Sequence, residues 1–236
     1  QLGCGKSDRP DDPSLWRLNR FVEELSRVRE ALGLNRVHIF GFSFGTVVAV
    51  EYMLSRQPKG VESLILAGPV LSAQKTQEDA IRLLQQLSPD AYERIVAYES
   101  ADDLGNPDYI GIKEEFERRH ILGEALDPIP ASLLESNKNF GEQVYAVMIG
   151  NSELNVTGNL KDFNRTEDVG RLGIPILYTC GRQDQMTPET VEKYHRLTPN
   201  SEIVVFENSA HMAHFTDKQA YLETLNSFLS RVETSE

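Results

Sequence analysis

Cysteine is nearly absent from this sequence, with two in 236 residues. Two thiols cannot supply the disulfide framework of a small secreted domain, which points to a reducing compartment and so to a cytoplasmic protein. Long apolar runs are missing too. The longest, around residues 46–52 and 61–67, fall well short of the roughly 20 residues that cross a bilayer as a helix. Positive charge is in deficit: 24 Lys and Arg stand against 36 Asp and Glu, for a net charge of −12. That balance argues against a nucleic-acid partner or an anionic membrane surface. What remains is ordinary globular composition, 40% apolar and 25% charged, enough for one large domain or two small ones.

Breakers crowd the first thirteen residues, where Gly3, Gly5, Pro10 and Pro13 predict a loop. Leu15, Leu18, Phe21, Val22, Leu25, Val28 and Leu32 then recur at helical spacing, with Asp12 as N-cap, Pro13 at the first helical position and Gly33 as the stop. Residues 37–40 read as a short buried strand, 46–56 as a buried helix and 61–67 as a second strand. From about 70 to 168 strand-like runs are scarce, and amphipathic pieces at 78–87, 91–98 and 114–120 dominate. Strand signals return at 174–179 and 202–206, with a helix at 188–197 between them. A last helix is expected from Thr216, with Gln219 completing a capping box. Strand–helix alternation at both ends of a helical middle predicts a parallel α/β sheet interrupted by a helical insertion.

Gly41-Phe42-Ser43-Phe44-Gly45 lies between a predicted strand and a predicted helix, the setting a nucleophile elbow requires. A serine hydroxyl needs a base at neutral pH, and the base needs an orienting acid. Of five histidines, His38, His120 and His195 fall in predicted elements and read as structural or surface residues. His211 and His214 fall in the loop between the last strand and the last helix; His211, nearer the strand, is the preferred base. Asp184 follows the strand ending near Cys180, where α/β active sites gather; its competing role is to cap the next helix, for which Thr187 is better placed. The order Ser43, Asp184, His211 is the order of α/β-hydrolases. No Cys or acidic cluster beside His211 and His214 completes a metal site, and neither metal nor cofactor is expected. Gly3-Cys4-Gly5-Lys6-Ser7 imitates the end of a phosphate-binding loop, but the Pro-rich residues after it cannot form the required helix.

Over nearly its whole length the sequence resembles the prolyl aminopeptidase (proline iminopeptidase) family of α/β-hydrolase serine peptidases. The opening Gln1-Leu2-Gly3-Cys4-Gly5-Lys6-Ser7 is similar to that family's D-Q-x-G-x-G-x-S loop, and Phe116-Glu117-Arg118-Arg119-His120 to its F-x-R-R-H stretch. Met148-Ile149-Gly150-Asn151-Ser152-Glu153 resembles its M-x-G-x-x-E stretch, and residues 181–184 and 209–211 resemble the segments bearing its acid and base. The resemblance implies Ser43 as nucleophile, His211 as general base and Asp184 as its orienter. It further implies the Phe44 backbone N–H as an oxyanion donor and Glu153 as the group that holds a substrate's amino terminus. Gln185 stands where the family often has a second glutamate, so it is a weaker candidate for the same task. Phe42 and Thr46 also depart from the family's elbow, and the branched Thr46 is expected to push the helix slightly off the strand.

The resulting expectation is an α/β-hydrolase fold with core segments 1–69 and 169–236 and a helical cap at 70–168. The family's H-G-G-P-G loop, which supplies a second oxyanion donor, precedes the loop matched at Gln1. The N-terminal strands are therefore expected to be absent from this chain, with a missing N-terminal segment or a second chain as a partner. The expected activity is release of an N-terminal residue, preferably proline, from short peptides through an acyl-enzyme. The alternatives are a carboxylesterase or amidase of the same fold, and a truncated non-catalytic subunit.

Overall fold

The computed structural model describes residues 1–124, 126 and 128–234. Its four strands come from the β-branched and aliphatic runs: β1 (Val37–Phe42), β2 (Val61–Ala67), β3 (Ile176–Gly181) and β4 (Ser201–Phe206). They form one parallel sheet in the order β1-β2-β3-β4. The inner strands β2 and β3 are apolar on both faces because both faces are covered. Leu64, Leu66, Ile176, Tyr178 and Cys180 point into one cluster with Val22, Ala49, Val50, Val191 and Tyr194. Their neighbours Ile65 and Leu177 point the other way, onto Phe228. β1 closes one edge of the sheet, and Phe40 on it is 48% exposed.

A single 3-10 turn (Pro13–Leu15) precedes α1 (Leu18–Ala31). Asp12 caps that turn by accepting the Ser14 N–H (3.0 Å), so the expected cap is present but the helix is broken after it. The break lets Trp16 bury its indole with Phe21, Val47, Val144 and Met148, while its Nε1 donates to Gln143 (3.1 Å). α2 (Phe44–Arg56) begins directly after Ser43, two residues earlier than periodicity indicates.

Between β2 and β3 lie α3 (Ala73–Leu87), α4 (Ala91–Ser100), α5 (Pro107–Phe116), a π-helical turn (Glu117–Leu122), α6 (Ala131–Lys138) and α7 (Glu142–Met148). Among the described residues no strand of the sheet falls in this stretch. α3, α4 and α5 share their own core of Ala80, Leu84, Ala91, Ile95, Tyr109, Phe116 and Leu154. The chain returns through α8 (Pro188–Leu197), α9 (Ala213–Thr216) and α10 (Lys218–Thr234). The expected capping box at Thr216 does not form: Thr216 ends α9, and its hydroxyl donates to Ser209 Oγ (2.7 Å). Because all strands run parallel, the loops after β1, β3 and β4 emerge at one end of the sheet, where the candidate residues meet.

Candidate active site

Ser43 joins β1 to α2 with no spacer and adopts φ 51°, ψ −119°, a region a residue with a side chain rarely enters. The turn is that sharp because α2 starts against the strand. A Cβ on Gly41 would lie 2.7 Å from the Gly45 carbonyl oxygen, so only glycine fits there. Gly45 itself faces open space. Thr46, the branched residue of the elbow, lies in the first turn of α2. It is fully buried, and its hydroxyl donates to the Ser43 carbonyl (2.6 Å) and accepts the Val70 N–H (2.9 Å), tying the elbow to the segment after β2. Phe44 is the first residue of α2, where a backbone N–H has no acceptor within the helix.

Asp184 is 1% exposed on the turn after β3. Its Oδ1 accepts the Met186 N–H (2.8 Å) and lies 2.8 Å from His211 Nδ1. An Nδ1–H donated to that carboxylate leaves Nε2 of a neutral ring as the acceptor. Among the described residues Nε2 has no hydrogen-bond partner, although the ring is buried. Burial alone would lower the His211 imidazole, but the Asp184 charge and hydrogen bond, aided by the Glu153 charge, raise it on balance. His214, the other histidine of that loop, packs on Phe42; burial and then the His211 charge lower it. Thr187 precedes α8 but its side chain caps nothing. Its hydroxyl donates instead to Asp79 of α3 (3.1 Å).

Ser43 and His211 open onto a cavity of about 710 Å³. Its walls are mostly apolar, including Phe42, Phe44, Val144 and Met148, with a polar corner of Glu153, Gln185, Glu117 and Lys113. Gln185 Nε2 donates to Glu153 Oε2 (2.6 Å), so these two expected residues do meet. Burial, and the charges of Glu153 and Glu114 against that of Lys113, push the Glu117 carboxyl above its usual range. No group of His, Cys, Asp and Glu suited to a metal ion occurs among the described residues.

Residues 1–218 match the family model of the alpha/beta hydrolase fold. A proline iminopeptidase of Heyndrickxia coagulans is 42% identical over 98% of this chain and 80% of its own length. One of Saccharolobus solfataricus is 32% identical over 98% of this chain and 74% of its own. The crystal structure of Mycobacterium smegmatis proline iminopeptidase superposes with a TM-score of 0.87 at 28% identity, covering 99% of this chain and 78% of that one. The chain belongs to the prolyl aminopeptidase family. It is an α/β-hydrolase-fold enzyme, a prolyl aminopeptidase-like hydrolase.

Several features of this prolyl aminopeptidase-family site had no signal in the sequence. Gly68 has φ +52°, and a Cβ there would stand 2.3 Å from the His211 ring, so the glycine after β2 makes room for the histidine after β4. Phe42, the unusual elbow residue, packs on His211 with ring centroids 4.7 Å apart. His120, read only as structural or surface, is buried, and its carbonyl accepts the N–H of both Gln185 (3.2 Å) and His211 (3.3 Å). The π-helical turn thus fastens the helical segment to the loops bearing Asp184 and His211. The proline ring of Pro188 and the hydrophobic spacing of α8 could be read from sequence; these cross-chain contacts could not.

Proposed function

We propose that this enzyme releases the N-terminal residue, preferably proline, from short peptides by a serine acyl-enzyme mechanism. The observation that carries the reading is the buried His211–Asp184 pair beside a strained Ser43, in one cavity with the Glu153 carboxylate. His211 Nε2 takes the proton as Ser43 Oγ attacks the carbonyl carbon of the first residue. The C–N bond breaks, the departing amine carries off that proton, and water then hydrolyses the ester on Ser43 by the same base. Developing charge on the carbonyl oxygen is stabilised by the Phe44 N–H and the N-terminal dipole of α2.

Glu153, held by Gln185, binds the substrate's ammonium through a charge-assisted hydrogen bond, which gains strength in an apolar cavity. Glu117 adds negative charge to the same corner. Residues 70–168 act as a cap that limits entry to the end of a short peptide. No metal or cofactor takes part. Cytoplasmic action fits the two unpaired cysteines, Cys4 and Cys180; no helix of the described residues is long and apolar enough to cross a membrane.

A second reading, carboxylesterase or amidase, is favoured by Gln185 standing where a second carboxylate is frequent, and by the apolar cavity wall. Hydrolysis of Pro-p-nitroanilide compared with p-nitrophenyl acetate separates the two: cleavage of the ester alone removes the aminopeptidase reading.

A further inference from the structure

Glu153 sits on a turn that is held by a carboxylate with no part in the chemistry above. Glu99, on α4, accepts hydrogen bonds from Ser152 Oγ (2.5 Å), Asn155 Nδ2 (2.8 Å) and the Tyr109 hydroxyl (3.1 Å). Ser152 and Asn155 also pair with each other as an isolated antiparallel bridge. Glu99 therefore grips both feet of a turn whose tip is Glu153 and Leu154. Leu154 is buried in the core shared by α3, α4 and α5, while Glu153 lines the cavity beside Gln185. Burial and the Glu99 charge push the Tyr109 hydroxyl to about 12, so it remains a donor to Glu99 across the neutral range.

We infer that Glu99 is a positioning residue for recognition of the substrate's amino group, acting through Glu153. Bonds to a charged acceptor are among the stronger hydrogen bonds, and three of them converge here on Glu99, two from the four-residue stretch Ser152–Asn155 and one from Tyr109 of α5. A turn so fixed presents its carboxylate to the ammonium at no ordering cost when substrate arrives. The inference rests on the aminopeptidase reading of Glu153, and the experiment keeps the two apart.

Glu99→Gln preserves the shape of the side chain but removes its charge and turns one acceptor oxygen into a donor. The readout is the ratio of kcat/KM for Pro-p-nitroanilide to that for p-nitrophenyl acetate, which carries no ammonium. A merely structural role lowers both values together and leaves the ratio alone. The ratio should fall about tenfold, mainly through KM, the scale of one charge-assisted contact. Added to Glu153→Gln, the same change should lower the ratio no further, because both act on one contact. If Glu153→Gln lowers the ratio and Glu99→Gln does not, the inference fails and the aminopeptidase reading stands. An unchanged ratio in Glu153→Gln defeats both. Additive losses in the double variant overturn the route through Glu153. Tyr109→Phe removes one donor only and serves if Glu99→Gln does not fold; a lowered ratio supports the inference, and an unchanged one overturns it.

Discussion

At the scale of single residues, the site depends on atoms whose polar demands are met by distant partners. His211 shows the consequence for pH. Its imidazole is a base only when neutral, and its environment raises it, so kcat/KM should fall as pH drops through a value above the ordinary histidine range. Asp184→Asn removes the strongest raising influence. The acid limb should then move to lower pH while kcat falls by about 10⁴-fold, as expected when a base loses its orienting carboxylate. A pH–rate profile with an unmoved acid limb would contradict the assignment. Thr46→Val tests the elbow differently. It leaves the Val70 N–H without its acceptor, so a loss of about 1–3 kcal/mol should appear in the denaturant midpoint. The meeting of Asp184 and His211, and the turn at the glycine-flanked Ser43, were legible because each residue lies beside a strand end in the sequence. Gly68 and Phe42 were not, since their importance comes from a ring delivered from residue 211, far along the chain.

Elements set where those residues stand, and local sequence patterns mark their boundaries unevenly. β2 (Val61–Ala67) and α8 (Pro188–Leu197) match their sequence expectations end to end, because apolar period and breakers agree at both boundaries. The capping box at Thr216 does not form because Thr216 is the last residue of α9 and α10 starts only at Lys218. Tertiary demand overrides a local signal worth only about 1 kcal/mol. Thr187 likewise makes no cap bond, and its hydroxyl donates to Asp79. That aspartate is 1% exposed and accepts from Thr187, Thr190, Lys75 and Arg82, which joins α3 to the first turn of α8 close to Asp184. Asp79→Ala strands the two threonine hydroxyls and should cost about 1–3 kcal/mol in thermal or chemical unfolding. Retained stability would show that the junction is held by apolar packing instead.

For the whole molecule, the division of labour is between a parallel sheet that delivers three loops to one end and a helical segment that walls the cavity over them. The sheet was legible because its inner strands, β2 and β3, are buried on both faces and so read as continuous apolar runs. The arrangement of α3–α7 was not, because amphipathic spacing says which face is buried but not against what. Leu64→Ala, at a fully buried site in β2 within the largest of the sheet's clusters, should cost about 2–5 kcal/mol by denaturant unfolding. The net charge of −12 suits cationic substrates at this scale, without selecting among them. Whether Ser43 cleaves the bond after a free amino-terminal residue is decided by hydrolysis of Pro-p-nitroanilide with the wild type and with Ser43→Ala: the wild type should release proline and Ser43→Ala none above background, whereas equal turnover by both would remove Ser43 from the reaction.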